Sequence, residues 1–213
     1  DFCRDLPEMS SVGWLCALAT FFWFVLFSPW TAPRLNFWLV MALATAVLSA
    51  AGLWCQREKL REIYAFNPTH ILIGFLSALA LYAIFWVGNL VSTQIFQFAK
   101  PEIAGIYSTR AQASPLTIGL LLLFWVGPAE EIFWRGFVQE RLCGRYGRTG
   151  GYLAASFVYA AIHVFGFNVM LFMASLLCGL FWGAMYLKYR SVWPGLISHA
   201  VWDVMIFVVI PVQ

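Results

Sequence analysis

The 213-residue chain has little charge: Asp, Glu, Lys and Arg make up 11% of it, histidine occurs three times, and 62% of the residues are hydrophobic. Soluble domains carry about 25% charged and roughly 45–50% apolar residues, so this depletion excludes an ordinary water-soluble fold and indicates an integral membrane protein. No long hydrophilic insertion interrupts the apolar runs, which argues against an added soluble domain. The five cysteines (Cys3, Cys16, Cys55, Cys143, Cys178) are odd in number and never form a CxxC. They suggest neither a disulfide framework nor a thiolate metal site, and read as free thiols. GxSxG, GxGxxG and HExxH are also missing, which argues against the commoner serine-hydrolase, dinucleotide-binding and zincin plans. The net charge of +3 is no nucleic-acid signal, because the bases sit in short connections where they act on membrane orientation.

What remains is apolar sequence in lengths suited to a bilayer, which needs about 20 residues per helix. The segments 13–30, 36–55, 70–97, 116–142, 151–166, 168–187 and 192–211 predict an all-α, polytopic transmembrane helical bundle of seven spans, or eight if the half-polar stretch 103–117 is a re-entrant piece rather than a loop or interfacial helix. Eighteen percent aromatic content with eleven Trp suits rings anchored at the headgroup level. The chain begins with Asp rather than Met, so the true N-terminus is expected to be missing or processed. Segment 13–30 lacks a basic flank and a convincing cleavage site, and reads as a retained span rather than a signal peptide. With the N-terminus in the cytoplasm, the inner connections hold Arg4, Arg57, Lys59, Arg61, Arg141, Arg145, Arg148, Lys188 and Arg190. The outer ones hold only Arg34, Lys100 and Arg110, so the N-in orientation is expected.

Against this background the stretch 127–141, GPAEEIFWRGFVQER, stands out. Ionisable groups inside a span are costly and mark function by default, with partners to be sought in other spans. Glu130 and Glu131 are neighbours, about 100° apart on a helix, so their tasks should differ. Glu131 and Arg135 have the i, i+4 spacing of a helical ion pair, which assigns Glu131 to structure and leaves Glu130 for chemistry. The alternative is that all three are structural or face an aqueous vestibule. Two further spans carry His163 and, at i, i+4, His199 with Asp203. A lone membrane histidine more often bonds a neighbouring helix than catalyses; polar groups in three spans alter that balance. At about 1.5 Å per residue, Glu130 and His163 lie ~18 Å from the cytoplasmic ends of their spans, and His199 and Asp203 ~11 and ~17 Å from theirs, so a polar intramembrane cavity in one layer is expected. His70 reads as an interfacial residue without chemistry. Ser175, Gly179 and Gly183 form a small-xxx-small face for close helix packing.

A carboxylate and an imidazole sharing a water can make it a nucleophile, and a second histidine can donate to the oxygen of a tetrahedral intermediate. This is equipment for amide hydrolysis within the membrane. Glu130, Glu131 and Arg135 as EExxxR, Tyr159 and His163 as aromatic-xxx-His, and His199 and Asp203 as HxxxD resemble the three motifs of the CAAX prenyl protease and bacteriocin-processing family, also called the Abi family. The resemblance extends over about residues 115–210 and includes GLFWGAMYLKYRSVWPGLISHAVWD. It divides the chain into N-terminal transmembrane helices with a connecting loop (1–114) and an Abi-like catalytic core (115–213).

The resemblance implies a glutamic intramembrane endopeptidase without cofactor, in a bacterial or archaeal plasma membrane, acting on membrane-associated peptides or proteins of the CAAX or bacteriocin type. Carried over, Glu130 and His163 activate water, while His199 and Asp203 stabilise the oxyanion; Glu131, Arg135 and Tyr159 support them. Two positions depart from the pattern. Tyr159 stands where Phe is more usual, a change expected to be harmless, and Asp203 stands where eukaryotic-type members have Asn. An ionised Asp donates no hydrogen bond, so Asp203 is either protonated or orients His199. Other readings are a zinc metalloprotease ligated by Glu130, His163 and His199, a non-catalytic membrane module such as an immunity or scaffold protein, and, more weakly, a proton-linked transporter.

Overall fold

The computed structural model describes residues 8–212. Helix follows helix with no strand among the described residues, as the apolar runs require, since backbone polar groups in lipid must be satisfied within the segment. The main helices are α1 (Glu8–Phe27), α2 (Phe37–Cys55), α3 (Thr69–Ile95), α4 (Ala99–Tyr107), α5 (Pro115–Leu121), α6 (Gly127–Phe133), α7 (Glu140–Ala161), α8 (Val169–Tyr189) and α9 (Trp193–Val204). Five stretches are long and apolar enough to cross a bilayer: Met9–Phe27, Phe37–Cys55, Thr69–Ile95, Pro115–Gly166 and Val169–Tyr189; Trp193–Val209 is a shorter apolar helix.

The 52-residue stretch Pro115–Gly166 contains both expected segments 116–142 and 151–166. Inside α7 the chain leaves helical geometry at Gly147, with φ at 75°, a left-handed conformation that glycine adopts without steric cost. The chain doubles back there so closely that a Cβ on Gly151 would collide with the backbone of Cys143. Trp14, Leu72, Leu76, Phe124 and Phe157 stay exposed on the outside, which suits contact with lipid tails rather than water.

The half-polar stretch resolves into α4 and a 3-10 segment, Ser108–Gln112, tied to the bundle at both ends. Glu102 Oε2 accepts from Met170 N at 2.9 Å, and its carbonyl accepts from Asn168 Nδ2 at 2.8 Å, so α4 caps the start of α8. Tyr107 donates its hydroxyl to the Ile206 carbonyl at 3.0 Å, and Trp38 Nε1 donates to the Thr109 carbonyl at 2.9 Å.

The small-residue face of α8 packs as expected. A Cβ on Gly179 would lie 3.1 Å from the Ser156 carbonyl, and one on Gly183 would lie 2.9 Å from the Tyr152 ring. Cys16, Cys143 and Cys178 are free thiols, but Cys55 is disulfide-bonded, which corrects the reading of five free thiols. An odd count does not exclude a pair. Cys3 and Arg4 lie outside the described residues.

Candidate active site

The EExxxR segment forms on a helix with altered winding on either side. Pro128 lacks an N–H, and its ring crowds the carbonyl four residues back. The preceding five residues, Leu122–Val126, wind as a π-helix, and a second π-helical segment, Trp134–Gln139, follows α6. The wider turn accommodates the proline within a helix that continues, and π-segments of this kind often occur at functional sites. Gly127 lies against α9, where an added Cβ would come 3.1 Å from both Ala200 Cα and Ala200 N.

The two acids diverge as the helical angle predicts. Glu131 is fully buried and turns toward α9. Its Oε1 lies 2.8 Å from Arg135 Nη1 and 2.9 Å from His199 Nδ1. The carboxylate carries no hydrogen to give, so His199 is the donor through Nδ1. Gly195, at the start of α9, leaves room for the second oxygen: a Cβ there would stand 2.9 Å from Glu131 Oε2.

Arg135 has further compensation for its buried charge. Nη2 donates to the Cys178 carbonyl at 3.3 Å, and the guanidinium lies over the Tyr159 ring at 5.0 Å and the Trp182 ring at 5.5 Å. Such cation–π contacts gain strength when desolvated. Trp182 also stacks on His199, with ring centroids 3.7 Å apart and planes 18° from parallel, and donates Nε1–H to Ser198 Oγ at 3.1 Å. The other His199 nitrogen, Nε2, is 3.5 Å from Asp203 Oδ2 one turn on. The imidazole is thus held between an acid of α6 and an acid of its own helix.

Glu130 takes a different direction. It lines a cavity of about 850 Å³ together with Tyr159, His163, His199 and Asp203. The expected convergence of three spans is therefore present, and all of these side chains are largely withdrawn from the surface. Cavity walls also come from α3 and α4, through residues such as Phe85, Asn89 and Ile106.

Glu130 accepts one hydrogen bond among the described residues, from the Tyr159 hydroxyl to Oε2 at 3.0 Å. No hydrogen bond joins Glu130 to His163 among the described residues. His163 sits in the 3-10 segment Ile162–Gly166 that ends α7, and both of its nitrogens have partners. Trp23 of α1 donates Nε1–H to His163 Nε2 at 2.9 Å. Indole nitrogen only donates, so Nε2 is the acceptor and Nδ1 carries the hydrogen, which is given to the Tyr159 carbonyl at 2.8 Å.

The zinc reading draws on Glu130, His163 and His199. His163 is committed to Trp23 and Tyr159, and His199 Nδ1 to Glu131. Among the described residues no group of three or more His, Cys, Asp or Glu side chains is placed to hold a metal ion.

His70, read as having no chemistry, lies away from this site: its Nδ1 accepts from Asn67 N at 3.2 Å in the turn that opens α3. Trp23 and Trp182 were not foreseen. One of eleven Trp in an evenly apolar helix gives no signal, whereas Trp182 lies between Gly179 and Gly183 on the packing face of α8. Tyr159, a supporting aromatic in the sequence pattern, reaches the candidate base with its hydroxyl, a contact that a phenylalanine ring cannot make.

Residues 112–205 match the family model described as Type II CAAX prenyl endopeptidase Rce1-like. The matched segment contains every one of the candidate residues from Glu130 to Asp203, and it leaves out Trp23, α2 and α3. No curated protein and no solved structure matches the chain.

Proposed function

We propose, from the membership of residues 112–205 in the Rce1-like type II CAAX prenyl endopeptidase family, that this integral membrane protein is an endopeptidase that hydrolyses a peptide bond of a membrane-associated substrate with a water activated by Glu130. The observation that carries this reading is the cavity wall that Glu130 shares with His163, His199 and Asp203.

In this mechanism Glu130 removes a proton from water as the water oxygen attacks the scissile carbonyl carbon. His163 orients that water through Nε2, which requires the Trp23 indole to give way to it. With His199 as the imidazolium between Glu131 and Asp203, the negative oxygen of the tetrahedral intermediate receives its Nε2–H while Nδ1–H remains bonded to Glu131, a preorganised donor in a water-poor site. Collapse of the intermediate breaks the C–N bond, and the leaving amine takes the proton held by Glu130. Asp203 keeps the His199 ring in place from its other side. No step is routed through a metal.

The excess of Arg and Lys in the connections on the N-terminal side supports a cytoplasmic N-terminus, and the family match supports a substrate peptide or protein with a CAAX-type or bacteriocin-type processing site, in the plasma membrane of a bacterium or archaeon on this reading. Comparison of peptide termini in membranes from cells expressing the wild type or Glu130→Gln tests this reading. New termini that depend on Glu130 are expected. Identical termini in the two membranes would favour a non-catalytic module.

A further inference from the structure

We infer that the Tyr159 hydroxyl is a positioning group for Glu130, holding one oxygen of its carboxylate in place. The inference rests on the endopeptidase reading above and adds a residue whose polar atom that reading leaves unused.

Three observations carry it. Tyr159 Oη–H is the one hydrogen-bond donor to the Glu130 side chain among the described residues, at 3.0 Å to Oε2. Both nitrogens of His163 are engaged elsewhere, with Trp23 and with the Tyr159 carbonyl, so the histidine does not fix the acid. The Tyr159 ring is itself clamped: Trp134 meets it edge-on at 5.3 Å, Arg135 covers it at 5.0 Å, and a Cβ on Gly179 would lie 3.3 Å from its Cδ1. A ring held on these sides delivers its hydroxyl to one point. Oε2 is thereby fixed, and Oε1 remains for the water on the cavity side. Tyr159 thus serves both candidate water-activating residues, Glu130 with its hydroxyl and His163 with its carbonyl, and only the first of these services needs a tyrosine.

The test uses the full chain in nanodiscs with a farnesylated fluorogenic peptide ending in a CAAX sequence. Tyr159→Phe keeps the ring and the carbonyl and removes only the hydroxyl. A fall in kcat of about 10- to 100-fold, the scale of a hydrogen bond to a charged group, is expected with KM within twofold. Fluorotyrosines placed at position 159 are near-isosteric and grade the donor strength, so kcat should vary in order with phenol acidity. Wild-type kcat in Tyr159→Phe overturns the inference, as does a fluorotyrosine series with flat kcat; the series still decides if the Phe variant does not fold. Glu130→Gln, measured alongside, separates the two levels. An active Glu130→Gln defeats the endopeptidase mechanism, whereas an inactive Glu130→Gln beside a fully active Tyr159→Phe defeats this inference alone.

Discussion

His199 of α9 donates Nδ1–H to Glu131 of α6 across 2.9 Å, so the second acid of the EExxxR segment ties the helix of the first acid to the helix of the second histidine. The same oxygen takes Arg135 at 2.8 Å. Glu131 therefore fixes geometry from behind the site, while Glu130 lines the cavity.

Glu131→Gln should cost stability before it costs chemistry. The amide leaves the Arg135 charge buried without its counter-ion, and breaking such a pair typically costs about 3–5 kcal/mol. Thermal unfolding in nanodiscs should show a midpoint several degrees lower, with activity falling as His199 loses its anchor. A wild-type melting curve would contradict the structural role given to Glu131.

Asp203 lies 3.5 Å from His199 Nε2. If it orients that ring or shares in binding the oxyanion, an amide does the same work, so Asp203→Asn should keep kcat within about tenfold. Asp203→Ala should lose about 10²–10³-fold, the scale of an oxyanion-hole donor. Steady-state kinetics on the two variants check this, and equal loss in both would show that the negative charge itself is required.

Gly127→Ala examines the packing that brings α6 against α9. The added methyl would sit 3.1 Å from Ala200 backbone atoms, which cannot turn aside as a side chain can. Overpacking of this kind costs about 1–3 kcal/mol. Both a lower unfolding midpoint and a reduced kcat are expected, because the displaced helices carry Glu130 and His199. An unchanged kcat would show that the spacing of α6 and α9 is not tightly tied to catalysis.

The helices were legible because most of the apolar runs are long enough to be membrane segments, and the Glu131–Arg135 pair was legible because i, i+4 spacing is a local property. The different directions of Glu130 and Glu131 also followed from the helical angle alone. Contacts between distant segments were not legible. Nothing in the periodicity of α1 marks Trp23 as the partner of His163, 140 positions away. Nor does the spacing of Glu130 and His163 show that neighbouring groups occupy both imidazole nitrogens. The π-helical segments around α6 were equally hidden, although Pro128 within a long apolar run was a local hint of altered winding.

A protein that uses Glu130 rather than a bound metal keeps its activity when metals are withdrawn. Cleavage of the reporter peptide by purified protein should be unchanged after prolonged treatment with a strong chelator. Loss of activity that is restored by zinc would revive the three-ligand alternative.

The most direct test of the central claim is a side-by-side measurement of Glu130→Gln and wild type, both reconstituted in proteoliposomes with the farnesylated CAAX peptide and both followed by thermal unfolding. The account predicts that Glu130→Gln loses about 10²–10⁴-fold in kcat, the range for a general base, with an unfolding midpoint close to wild type because among the described residues no buried ion pair depends on Glu130. A folded Glu130→Gln variant that cleaves the peptide at the wild-type rate would contradict it.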